Sequence, residues 1–283
     1  MSRVLKKRIG EHTMHLDVED GGISAVLYAQ GQRELAFMGL LQQEVKEGMV
    51  CVDLGSNIGY TTLYMLQNAG QDGFVYAIEP DPRNLSLLQK NIEENSYQNC
   101  EVIHCAISDN DGEIDFWEAA KPNLSSVTKN KYSTNKISVP SFTLESFLQD
   151  RRYPNFIKMD VEGHEVKIFE SGLDYFSKND GYTSVLVEVH PATYNEENDF
   201  AAVLREYFKI GFNAKYVVAT PVPQPQLFKM AGYSPARSVH TDGFHRGIYT
   251  DVSNEHLVKF ACQEHWEQGS KKIVRSFMIT REK

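Results

Sequence analysis

The sequence predicts an α/β fold: an open, mostly parallel sheet with helices on both faces. Two observations carry this prediction. Short apolar runs alternate with helix-length segments along the chain, the order that parallel strands with crossover helices require. Residues 50–59, Val-Cys-Val-Asp-Leu-Gly-Ser-Asn-Ile-Gly, end an apolar run on Asp53 and open into Gly55 and Gly59, as a buried strand does when it turns tightly into a helix. With 283 residues, 41% of them hydrophobic and 11% aromatic, the chain carries enough apolar surface for a sizeable core.

The elements follow in order. A helix over 35–46 precedes the first core strand, 49–53, and the glycine turn leads into a helix over 57–69. The next strand, 74–78, ends in Glu79. Asp81 and Pro82 then supply an N-cap and a first-turn proline for a helix over 82–95. A strand over 101–105 is followed by polar residues 118–136 between the apolar runs 114–117 and 137–139, the pattern of a hairpin with a long loop. Strands over 155–159 and 184–189 each precede a helix, at 164–171 and 198–210. The strand over 213–219 and the strongly β-forming run 274–280 make antiparallel end strands. The division is thus one domain: strands and a helix over 1–48, a core over 49–219, an insert over 220–271 and the last strand over 272–283. Four of the ten prolines lie in residues 221–235, and the insert has little internal periodicity, so it reads as a cap or binding loop.

The turn chemistry narrows the ligand. Gly55 lets backbone approach a bound molecule closely, Gly59 lets the next helix pack on the strand, and Asp53 puts a carboxylate at the turn. A dinucleotide fingerprint starting at Gly55 would need glycines where the chain has Asn57 and Tyr60. A phosphate-cradling loop would need Gly-Lys-Ser/Thr where it has Tyr60, Thr61 and Thr62. Glu79 lies at the spacing where doubly wound folds set a carboxylate on ribose hydroxyls. A carboxylate-bearing turn suits a ligand with a sulfonium and an ammonium but no phosphate.

With Glu79, the segment Asp53-Leu-Gly-Ser-Asn-Ile-Gly-Tyr60 resembles the S-adenosylmethionine site of class I methyltransferases, which have a Rossmann-like, mostly parallel seven-stranded sheet. Residues 19–40, Glu79-Pro80 with Asn84 and Asn91, Ala106-Ile-Ser-Asp109, residues 139–148 and above all Phe156-Ile-Lys-Met-Asp-Val-Glu-Gly-His-Glu165 are similar to the FkbM family of these enzymes. The similarity covers roughly residues 10–220. It implies an S-adenosylmethionine cofactor held by Asp53, Gly55, Ser56, Asn57 and Gly59 at the methionine end, by Glu79 at the ribose and near Ala106 at the adenine. The acidic residue common at that last position is missing, which leaves backbone, Ser108 or Asp109 for the adenine amine. The family's acceptors are hydroxyls of sugars, glycans or small natural products.

Catalytic candidates gather at the carboxyl ends of the fourth and fifth strands, where open α/β sheets bind ligands. By the period of two, Lys158 shares a face with Asp160, and Glu188 with His190. Attack of an alcohol on a methyl group needs a base for the hydroxyl proton. Either His164 or Asp160 is that base with Glu188 or His190 orienting it, or Asp160, Glu188 and His190 hold a divalent cation such as magnesium that lowers the hydroxyl pKa. Glu162 and Glu165 read as charges at a helix N-terminus. The turn Asp160-Val-Glu-Gly163 departs from the Asn/Asp-Pro-Pro-Tyr/Phe turn of amino-directed methyltransferases, which favours O-methylation.

Charge and cysteine usage bound the partners. The net charge of −9 disfavours nucleic acid and anionic membrane as partners, and no apolar run is long enough to span a bilayer. The four cysteines lack metal-like spacing, and the basic residues 3–8 lead into no apolar stretch, so the chain reads as a reduced cytoplasmic protein, monomer or homodimer. Four histidines of the insert, 240, 245, 256 and 265, are too irregularly spaced for a metal cluster. Tyr60 and Tyr233 are pocket or core aromatics. A methyltransferase of macromolecules that docks through the insert, a cofactor-binding module without catalysis and a nicotinamide-dependent dehydrogenase are the alternatives.

Overall fold

The computed structural model describes residues 3–221, 225–263 and 272–282. An antiparallel hairpin, β1 (Val4–Ile9) and β2 (His12–Asp17), leads into α1 (Ile23–Gln30) and α2 (Leu35–Glu44). The core begins with β3 (Val50–Leu54), α3 (Tyr60–Ala69), β4 (Phe74–Ile78), α4 (Pro82–Glu94) and β5 (Cys100–Ile103). Then come β6 (Ala106–Ser108), β7 (Gly112–Ala119), β8 (Ser133–Thr143), α5 (Leu144–Gln149), β9 (Phe156–Met159), α6 (Glu165–Lys178) and β10 (Thr183–Glu188). The chain continues through α7 (Phe200–Lys209), β11 (Asn213–Ala219), α8 (Pro225–Met230), β12 (Arg237–Thr241), β13 (Phe244–Tyr249), α9 (Asn254–Val258) and β14 (Val274–Arg281).

Among the described residues, nine strands form the main sheet in the order β12-β13-β11-β14-β10-β9-β3-β4-β5. The five from β10 to β5 are parallel, and β14 runs antiparallel between β10 and β11. The expected seven strands are all there. The other two come from the insert, which was expected to be a loop or lid; its residues 237–249 instead form a hairpin that extends the sheet beside β11. The hairpin also reaches the start of α2: Leu35 N–H donates to Thr241 Oγ1 and Glu34 N–H to Asp242 Oδ1.

Every residue of β3 is buried because both faces are covered. Val50, Val52 and Leu54 point into a core shared with α5, α6 and α7, while Cys51 points into the opposite core with α2, α3 and α4. Asp53 falls on that second face, beneath α3, where no apolar side chain could accept it without a partner. The polar stretch 118–136 is the expected hairpin, longer than foreseen: β7 and β8 pair, and β6 joins them in a separate three-stranded sheet. All four cysteines are free thiols. Among the described residues no helix is long and apolar enough to cross a membrane.

Candidate active site

A cavity of about 340 Å³ opens above the carboxyl ends of β3, β4 and β9, within the roughly 300–1,000 Å³ of small-molecule sites. The glycine turn forms its floor. Gly55 has φ 76°, and a Cβ there would lie 2.1 Å from the Asp160 carbonyl oxygen, so the backbones of β3 and β9 approach as closely as only glycine permits. Gly59, at φ 90°, faces Leu88 of α4, and the turn between them holds Asn57 at φ 51°. Three left-handed residues in five exclude helix, which is why α3 starts at Tyr60 and not at the expected 57.

Asp53 is fully buried and lies beneath this floor instead of lining the cavity. Its Oδ2 accepts from Thr61 Oγ1 at 2.8 Å and Thr62 Oγ1 at 2.7 Å, and its Oδ1 meets Lys158 Nζ at 3.1 Å. The parallel register sets Asp53 directly beside Lys158. Lys158 Nζ also donates to the carbonyls of Gly55, at 2.6 Å, and Leu54. Burial alone would lower this ammonium's pKa, but Asp53 and Asp160 raise it above the usual value. The pair therefore shapes the turn from below.

Glu79 does line the cavity. Its Oε2 accepts from Asn57 N–H at 2.7 Å and its Oε1 from Asp81 N–H at 2.9 Å, and burial raises its carboxyl to about 7. Asn84 faces Glu79 Oε1 at 3.5 Å, while Asp81 caps α4. Asn57 Oδ1 accepts from Ile58 N–H, and the side-chain NH₂ has no partner among the described residues. Ala106, Ile107 and Phe116 make an apolar wall. Ser108 and Asp109 are not on it: Ser108 Oγ bonds His164 Nε2 at 2.8 Å and donates to Asp109. A glycine cradle, a strand-end carboxylate and an apolar slot in one cavity fit S-adenosylmethionine.

Beside the floor, the sequence Asp160 to Glu165 folds back on His190, which lies two residues beyond the end of β10. His190 Nδ1 bonds the fully buried Glu165 at 2.6 Å, while Nε2 lies 3.8 Å from Asp160 Oδ1, 3.5 Å from Glu162 Oε2 and 3.7 Å from Glu188 Oε1. Burial opposes charge on His190, but Glu165 and the other carboxylates raise it to about 10. Burial would also raise Asp160, yet Lys158, His190, Arg275 and Arg33 hold it below its ordinary range. Burial and then Asp160 push Glu162 up to about 8, and the same causes push Glu188 to about 7.

Three of the four predicted catalytic residues, Asp160, Glu188 and His190, therefore converge. His164 lines the same cavity but is turned to Ser108, and burial lowers its pKa. The expected cation set of Asp160, Glu188 and His190 is altered. Glu188 Oε1 is drawn to Arg275 Nη1 at 2.6 Å, and Glu162 takes its place beside Asp160 and His190, with the three ligand atoms within 4.8 Å of one another. The sequence reading missed Glu162 and Glu165 as site residues, and also Arg33, Glu34 and Arg275, which join in a chain of ion pairs at the cavity wall. Glu162 carried one legible signal: it precedes Gly163 in a turn, where the backbone is left-handed, with φ 53° at Glu162. Tyr60 lines the cavity, whereas Tyr233 bonds His256 away from it. His240 and His245 face each other on the hairpin, and His265 lies outside the described residues.

Comparison with known proteins gives the family. The Methyltransferase FkbM domain matches residues 53–218, more than half of the chain. The hexuronic acid methyltransferase AglP of Haloferax volcanii is 26% identical over 153 residues, covering 53% of this chain and 60% of that protein. A protein-L-isoaspartate O-methyltransferase of Methanococcoides burtonii is 36% identical over 61 residues, 22% of this chain and 30% of that one. The chain thus spans less than two thirds of the length of these curated relatives. The solved FkbM methyltransferase of Methylobacillus flagellatus is 15% identical with a TM-score of 0.44, covering 71% of this chain and 43% of that one. On the match across its core, the chain belongs to the FkbM methyltransferase family.

Proposed function

We propose that this protein is an S-adenosylmethionine-dependent O-methyltransferase whose acceptor is a hydroxyl on a sugar, glycan or small natural product. The observation that carries the reading is that one cavity joins the Gly55 turn and Glu79 to His164 and the Asp160 cluster. A donor held over the turn would have its methyl end toward His164 and the Asp160 cluster, the acid–base groups at that end of the cavity. Methyl transfer forms an O–CH₃ bond as the S–CH₃ bond breaks, its electron pair staying on sulfur, and the hydroxyl proton passes to a base. His164 suits that role. Ser108 Oγ holds His164 Nε2 at 2.8 Å, and burial keeps the ring neutral, so one of its two nitrogens is unprotonated. Asp160, held ionised, orients the acceptor hydroxyl. The similarity to a hexuronic acid methyltransferase supports a sugar acceptor.

The test is turnover of labelled S-adenosylmethionine with a panel of uronic acids, neutral sugars and polyols, with products located by NMR. Methyl ethers on carbon-bound hydroxyls support the reading. Label found only on protein carboxylates or on amines would overturn it.

A further inference from the structure

Glu162 enters no step of the proposed reaction, yet the fold holds its carboxylate in the cavity beside Asp160 and His190. Two neighbours prepare these three groups as a set. The buried Glu165 accepts at 2.6 Å from His190 Nδ1 and also takes the Gly163 N–H, so Nε2 is fixed toward Asp160 and Glu162. This is the carboxylate–imidazole pairing that orients metal-binding histidines. Glu188 is spent on Arg275. Asp160 Oδ1 is shielded from solvent and has no hydrogen-bond donor, an open acceptor in a polar pocket.

We infer that Asp160, Glu162 and His190 bind one divalent cation at the acceptor end of the cavity, and that the acceptor is a chelating one, with two oxygens on adjacent carbons. The inference rests on the O-methyltransferase reading for the acceptor, but not for the cation. Carboxylate oxygens with one imidazole suit manganese or magnesium. Opposite ligands of such an ion lie about 4.2 Å apart, so Glu162 and Asp160, already within 4.8 Å of each other and of His190 Nε2, need only small side-chain rotations to close on it. Three protein ligands leave positions open on a six-coordinate ion. Because the set faces the cavity, those positions belong to the acceptor, and a vicinal diol or a hydroxy acid fills two of them. Charge at the cation then lowers the pKa of the hydroxyl to be methylated.

The probe is Mn²⁺, titrated into the full-length protein and followed by electron paramagnetic resonance in the absence of cofactor and acceptor. One bound Mn²⁺ is expected, weakened at least tenfold in Glu162→Gln and about 10–100-fold in the positioning variant Glu165→Gln, with S-adenosylhomocysteine affinity unchanged in Glu162→Gln as the check on folding. No stoichiometric binding at millimolar Mn²⁺, or equal binding by Glu162→Gln, would overturn the site and leave His190 as an imidazolium paired with its carboxylates. Methyl transfer that is undiminished in EDTA, or equal on diols and isolated hydroxyls, would overturn the acceptor half. Loss of S-adenosylhomocysteine binding in wild type bears on the methyltransferase reading alone.

Discussion

His164 and Asp160 share a cavity but titrate in opposite environments. Burial disfavours the imidazolium, so His164 ionises below its ordinary 6.5, and a base must be unprotonated to act. The rate is therefore expected to be level through neutral pH and to fall only in acid below 6.5. A kcat profile measured with a saturating acceptor checks this, and a fall that begins on the alkaline side of 7 would assign the base elsewhere. His164→Gln is expected to lower kcat by about 10²–10⁴-fold with little change in cofactor affinity. At this scale the sequence was partly legible. Strand periodicity brought Lys158 and Asp160 to one face, and Glu188 and His190 to one edge. It could not show that Lys158 turns down to Asp53, because that contact comes from the register of two strands about a hundred residues apart. Nor could it show that Ser108 belongs to His164 and not to the adenine wall.

The turn after β3 is an element shaped from two sides. From above, Gly55 makes room for the Asp160 carbonyl. Gly55→Ala forces a Cβ against backbone at 2.1 Å in a left-handed conformation, a strain of order 1–3 kcal/mol. It is expected to lower the melting temperature and abolish S-adenosylhomocysteine binding, read by thermal denaturation and calorimetry. From below, Lys158 and Asp53 are a buried ion pair. Lys158→Met leaves the Asp53 carboxylate without its cation and is expected to destabilise the fold by about 3–5 kcal/mol, whereas Lys158→Met with Asp53→Asn recovers most of the loss. Denaturant unfolding of both variants tests the coupling. Element types were readable from the run of apolar residues, the Asp81 cap and Pro82. Lengths were less so: α6 runs to Lys178, past the expected 171, because Phe169, Tyr175 and Phe176 lock its far end into the core, a tertiary effect that periodicity does not report.

Across the whole molecule, carboxyl groups raised by burial set the pH dependence of stability. Glu79 and Glu188 titrate near 7 and Glu162 near 8 against an ordinary 4.5, and His190 near 10 against 6.5. In each case the folded state holds the proton more tightly, so the contribution is complete below the unfolded value and disappears as pH rises through the folded one. Thermal stability is thus expected to fall from about pH 4.5 to 8 through the carboxyls and from 6.5 to 10 through His190. Asp160, held low, acts in the opposite sense only as pH falls below its ordinary 3.8. Melting curves across this range should show the decline, and His190→Gln should flatten its alkaline limb. The insert was the least legible part at this scale. Its prolines and irregular spacing hide β12 and β13, whose partners, β11 and the start of α2, lie elsewhere in the chain. The central claim is that the Gly55 turn and Glu79 bind S-adenosylmethionine, and calorimetric titration with S-adenosylhomocysteine tests it most directly. Stoichiometric binding by wild type, weakened at least tenfold, about 1.4 kcal/mol, in Glu79→Ala, is the predicted result; no binding by wild type at millimolar ligand, or binding of NAD in its place, would contradict it.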